Sequence, residues 1–103
     1  MYIIYNNKKI KCISTQLDTF LRYKRCKIDY GVIIPNINRF STILSFQNID
    51  IIILNNKQEI VAFKYNMFPN TVFEEKDGDI VVVLPPGTFK DLKIGNKLTI
   101  EDT

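Results

Sequence analysis

Ile49-Asp50-Ile51-Ile52-Ile53-Leu54 is the stretch on which the fold turns. Four of its six residues are isoleucine. Branching at Cβ stiffens these side chains and suits them to a pleated strand. Apart from Asp50 the run offers no polar face, so it predicts a central strand covered on both sides. Asn55-Asn56-Lys57-Gln58 follows as a turn, and Glu59 to Tyr65 returns as the paired strand.

Downstream, Met67 to Asp79 reads as a long connection holding Pro69 and the turn pair Asp77-Gly78. Ile80 to Leu84 is a second buried strand, which Pro85-Pro86-Gly87 breaks. Thr88 can open one helical turn through Leu92, and Gly95-Asn96 turns the chain into a last strand from Lys97 to Ile100. Gly78, Gly87 and Gly95 read as turn residues rather than ligand contacts. Upstream, Gly31 to Ile34 is a strand ended by Pro35-Asn36. Tyr2 to Tyr5 and Lys9 to Ile13 form a hairpin about Asn6-Asn7-Lys8. Between these, Thr15 and Asp18 make a pair resembling a capping box, and Leu17, Phe20 and Leu21 share one helical face.

Seven short strands and two short helices predict a mainly β fold. The expected form is an antiparallel β-sandwich or a partly closed barrel with one or two short helices. The 103 residues fit one domain, residues 1–103. A parallel α/β sheet is disfavoured, since no expected helix between strands is long enough to cross over. Ile51, Ile53, Val81, Val83 and Leu84 are the expected core.

The order of these segments resembles the family called domain of unknown function 192. Ile49 to Asn55, the turn, and Glu59-Ile60-Val61 resemble its apolar-Asp-apolar strand and return strand. Val83-Leu84-Pro85-Pro86-Gly87-Thr88 resembles its strand ending in Pro, a small residue and Gly-Thr. Lys93 to Leu98 resembles its closing turn, and Asp18-Thr19-Phe20 through Arg22 its first helix. The chain departs from the family at three landmarks. Arg25-Cys26-Lys27 stands for Gly-Leu-Met, Phe40 to Ser45 for an aromatic-rich segment, and Pro69-Asn70 for Pro-Trp. The resemblance implies a scaffold and no activity.

The chain has no histidine. That removes the usual Ser-His-Asp and Cys-His nucleophiles and the His-containing zinc and iron sites. Cys12 and Cys26 are too few for a structural zinc site or a disulfide framework, and they read as reduced thiols, a bridge between the two being the alternative. The four glycines are isolated, so there is no Gly-rich phosphate loop. Glu74 to Asp79 lacks the spacing of a calcium loop and reads as a solvated acidic turn. These observations point to no catalytic residues, no cofactor and no metal. Asp50 remains the candidate polar site. A carboxylate in so apolar a strand is either an acid–base group with a shifted pKa or a strand-end acceptor for backbone amides.

Charge is uneven. Residues 1–40 hold eight basic side chains against two acidic ones, and the remainder six against nine. Arg22, Lys24, Arg25 and Lys27 form a candidate anion-binding surface with Tyr23 among them. Net charge is only +3 and no recognition module is evident, which argues against nucleic acid as the partner. There is no membrane span and no leader pattern, so the expectation is a cytoplasmic protein. The reading that fits best is a non-catalytic binding or accessory module, with a protein as one candidate partner. The alternatives are a small-molecule binder or enzyme using carboxylate and Lys groups, and a weak nucleic-acid binder through the basic region.

Overall fold

A computed structural model of the chain describes residues 1–15, 30–41, 48–68 and 71–101. The expected first helix, with Leu17, Phe20 and Leu21, lies outside the described residues. So do Arg22, Lys24, Arg25, Cys26, Lys27 and Pro69-Asn70, and most of Phe40 to Ser45.

The chain opens with a hairpin of β1 (Tyr2–Tyr5) and β2 (Lys8–Ser14), paired from Tyr5↔Lys8 to Tyr2↔Lys11. Asn6 and Asn7 both have positive φ, 49° and 65°. Two successive left-handed residues turn with the twist of the strands they join, and Asn tolerates that backbone well. Lys8, expected in the turn, therefore belongs to β2.

β3 (Gly31–Pro35) runs parallel to β2 and antiparallel to β8 (Ile80–Leu84). β8 pairs on its other side with β5 (Ile49–Leu54), which pairs in turn with β6 (Ile60–Met67). With β9 (Thr99–Glu101) against β1, the sheet order is β6-β5-β8-β3-β2-β1-β9. The pairing is mainly antiparallel, as expected, with one parallel neighbour.

The sheet curls until its ends approach. Glu59 and Lys97 form a bridge, Ile60 N–H donates to the Asn96 carbonyl at 2.8 Å, and Leu98 N–H donates to the Gln58 carbonyl at 2.9 Å. The result is a half-barrel, the second of the two expected forms.

Side-chain alternation then makes two cores. Ile33, Ile52, Leu54, Val82 and Leu84 point into the barrel with Ile3, Tyr5, Ile60, Phe89, Leu92 and Leu98. Val32, Ile34, Ile49, Ile51, Ile53, Val81 and Val83 point outward with Phe40 and Met67. A separate two-stranded ribbon, β4 (Arg39–Ser41) and β7 (Val72–Glu74), supplies Phe40 and Phe73 to that outer core. All six residues of β5 are buried. The five residues expected as core are all fully buried.

Two expectations need correction. The Met67 to Asp79 connection contains β7, and β4 precedes it. Each is only three residues long, too short for a periodic signal. Thr88 to Leu92 contains no helix. Thr88 Oγ1 donates to the Pro85 carbonyl at 2.6 Å, and the Thr88 carbonyl accepts from Lys8 Nζ. Leu92 N–H, which a helix would aim at that carbonyl, donates instead to Tyr65 Oη at 2.8 Å. The local capping signal loses to tertiary bonds that lower Phe89 and Leu92 into the barrel mouth.

Candidate functional site

Asp50 is the one buried polar or charged residue among the described residues, 2% exposed. Its position follows from a bulge. Ile49 pairs with Met67 and Ile51 with Lys64, so Asp50 alone faces both Tyr65 and Asn66. An extra residue in one strand leaves an unpaired backbone amide. Asn66 takes φ 51°, and its N–H donates to Asp50 Oδ1 at 2.7 Å.

The other carboxylate oxygen faces the next strand. Asp50 pairs with Leu84, after which Pro85-Pro86 stop β8. Gly87, at φ 83°, turns the chain back, and its N–H donates to Asp50 Oδ2 at 3.0 Å. One carboxylate therefore ties together β5, the bulge of β6 and the loop after β8. Hydrogen bonds to an ionised acceptor are stronger than neutral ones. Of the two roles open to Asp50, the geometry matches the strand-end acceptor.

An open cleft of about 500 Å³ lies over this clamp. Tyr65, Pro86 and Phe89 give it apolar walls, while Asp50, Asn66, Gly87 and Lys90 complete the lining. Accepting Leu92 N–H fixes the Tyr65 ring, and Phe63 meets it edge-on with centroids 5.3 Å apart. A Cβ added at Gly87 would meet no atom within 4 Å.

A second hollow of about 280 Å³ continues across the loop. It shares Gly87, Phe89 and Lys90 with the first and adds Tyr5, Asn6, Lys8, Thr88 and Asp91. Tyr5 Oη donates to the Asp91 carbonyl at 2.9 Å and accepts from Asn96 Nδ2 at 3.1 Å. Asn6 Nδ2 donates to Asp91 Oδ2. Lys8 Nζ sits 5.6 Å from the Phe89 ring centre.

Few groups here are free to do chemistry. Both Asp50 oxygens hold backbone amides, Thr88 hydroxyl is bonded to Pro85, and Lys8 to Thr88. Cys12 is buried elsewhere in the barrel, where loss of water pushes its thiol pKa above the usual 9.0. Among the described residues no three His, Cys, Asp or Glu gather as metal ligands. The acidic turn is an ordinary one, with Gly78 N–H donating to the Glu75 carbonyl at 2.9 Å.

Asp50 is thus the expected site residue that the fold places at a cleft. Arg22, Lys24, Arg25 and Lys27 lie outside the described residues. Tyr65, Asn66, Phe89 and Lys90 were not legible as lining residues. The signal for Asn66 was an Asn inside an apolar strand run, which suits left-handed backbone at a bulge.

The chain matches no family model and no curated protein. Two solved structures share its fold. One is a protein of unknown function from Novosphingobium aromaticivorans, with TM-score 0.73 and 14% identity, covering 96% of this chain and 82% of that one. The other, from Sinorhizobium meliloti, is described as a "putative transcription regulator". It has TM-score 0.76 and 13% identity, covering 95% of this chain and 89% of that one. At such identities the likeness extends to the fold alone.

Proposed function

We propose that this small β-domain is a non-catalytic binding module whose ligand sits in the cleft over Asp50. The observation that carries the reading is the way Asp50 is held, 2% exposed and with both carboxylate oxygens turned to backbone amides. Each carboxylate oxygen holds one backbone amide, from Asn66 and from Gly87. A general acid or base must come within hydrogen-bond reach of its substrate, and a carboxylate 2% exposed and engaged with backbone is poorly placed for that. A clamp must do what Asp50 does, which is to stiffen the walls of a hollow. Rigid walls lower the ordering cost of binding. The cleft has the size and mixed lining typical of ligand pockets.

A small fragment library titrated into ¹⁵N-labelled protein tests this. Shifted amides should converge on Tyr65, Asn66, Gly87, Phe89 and Lys90. Convergence on another face, or no saturable shifts, would overturn the reading.

We also infer membership, as a divergent member, of the domain of unknown function 192 family. Support comes from space as well as order, because residues far apart in the chain that carry the resemblance meet. Asp50 bonds Gly87 of the Pro85-Pro86-Gly87-Thr88 turn, and Gly95 N–H donates to the Ile60 carbonyl at 2.8 Å. An alignment of close homologues should keep Asp50 and Gly87 together. Independent variation of the two would remove that support. We further propose a cytoplasmic location, a reducing compartment that suits a buried thiol at Cys12.

A further inference from the structure

The two hollows share Gly87, Phe89 and Lys90, so they adjoin along that loop. They differ in chemistry. The larger is walled by Tyr65, Pro86 and Phe89, surfaces that favour an apolar body. The smaller carries Lys8 and Lys90 at its rim. In the loop between them, the backbone amides of Thr88, Phe89, Lys90 and Asp91 donate to no acceptor among the described residues. Successive amides with no acceptor among the described residues, beside ammonium groups, favour a negative charge. Lys8 spends a proton on the Thr88 carbonyl, and an ammonium has three to give.

The charge that fits is a single one. Asp91 lines the same hollow, and a dianion such as a phosphate monoester would face its carboxylate. A cationic ligand would face Lys8 and Lys90, while the Asp50 charge is buried and already bonded twice.

We propose that the cleft takes a carboxylate carried on an apolar body. This rests on the binding-module reading and names its ligand class. Two sources share that chemistry: a small organic acid, and the free C-terminus of a peptide ending in an apolar residue. The apolar part lies over Gly87 between Tyr65 and Phe89. The carboxylate meets Lys90 and the loop amides.

The test uses ¹⁵N-labelled full-length protein and matched probes. These are hydrocinnamate, its neutral amide, and a short peptide ending in phenylalanine, as free acid and as C-terminal amide. Both acids should shift Gly87, Thr88, Phe89 and Lys90 amides saturably, and each should bind more tightly than its amide. Lys90→Met keeps the apolar stem and removes the charge at an exposed position. It should reduce the preference for acid over amide by roughly fivefold, the scale of one exposed charge pair. A tighter peptide acid would assign the source to a C-terminus, and a tighter hydrocinnamate to a small acid. Equal binding of acid and amide at the cleft would overturn the ligand class while leaving the binding site standing. No saturable shift at the cleft with any probe would overturn both.

Discussion

Asp50 does at residue scale what no apolar side chain in that strand can do, since it accepts two backbone amides at a position only 2% exposed. The apolar run around it was legible in the sequence, and so was the choice between a catalytic and an amide-bonding carboxylate. The partners were not, because Asn66 and Gly87 lie 16 and 37 residues away. Gly95 belongs to the same scale. Its φ is 91°, and an added Cβ would touch nothing within 4 Å, so the cost of Ala there is backbone strain alone. Gly95→Ala should lower stability by about 1 kcal/mol, read from denaturant midpoints at unchanged slope. Cys12 gives a pH signature. Burial raises its pKa in the folded state, so the folded form holds its proton more tightly than the unfolded form does. The resulting stability is complete below the ordinary thiol pKa of 9.0 and is lost as pH rises through the folded value. Wild type should therefore lose more stability above pH 9.0 than Cys12→Ala does, measured by urea unfolding across that range.

Between elements, the bulge in β6 decides where the cleft opens. The Ile49↔Met67 and Ile51↔Lys64 pairs leave Tyr65 and Asn66 opposite one residue. That shift re-aims Tyr65 so that its hydroxyl meets Leu92. Asn66→Gly should be nearly neutral, since Gly adopts the left-handed backbone freely. Asn66→Ala should cost about 1 kcal/mol. Equal melting temperatures for the two variants would count against a bulge that needs φ 51°. Strands with long apolar runs were readable because period and composition agree within each. The three-residue β4 and β7 were not, since they are held by their cross-strand pairing, Phe40↔Phe73 included, and by burial on the outer core. The failed helical turn at Thr88 has the same cause. Its hydrogen bonds go to Pro85, Lys8 and Tyr65, which no local window contains.

Across the whole molecule, the curled sheet separates an inner core from an outer one, and β5 and β8 serve both. Ile52 and Val82 pair with each other at the centre of the inner face. Asp at either site would bury a charge without a partner and should abolish cooperative folding, seen as loss of the calorimetric transition. The Glu59 to Lys97 bridge closes the sheet beside the Leu54↔Ile60 end of the β5–β6 pair, while Asp50, near the other end of β5, anchors the Pro85 to Leu92 loop. The central claim is that this carboxylate is a clamp that shapes the cleft. Amide hydrogen exchange at Asn66 and Gly87, wild type against Asp50→Ala, tests it most directly. The account predicts that both amides are protected in the wild type. Both should lose protection together in the variant, beyond the loss seen at Val82, with global stability lower by about 3 kcal/mol. Unchanged protection at Asn66 and Gly87 in a folded Asp50→Ala protein would contradict it.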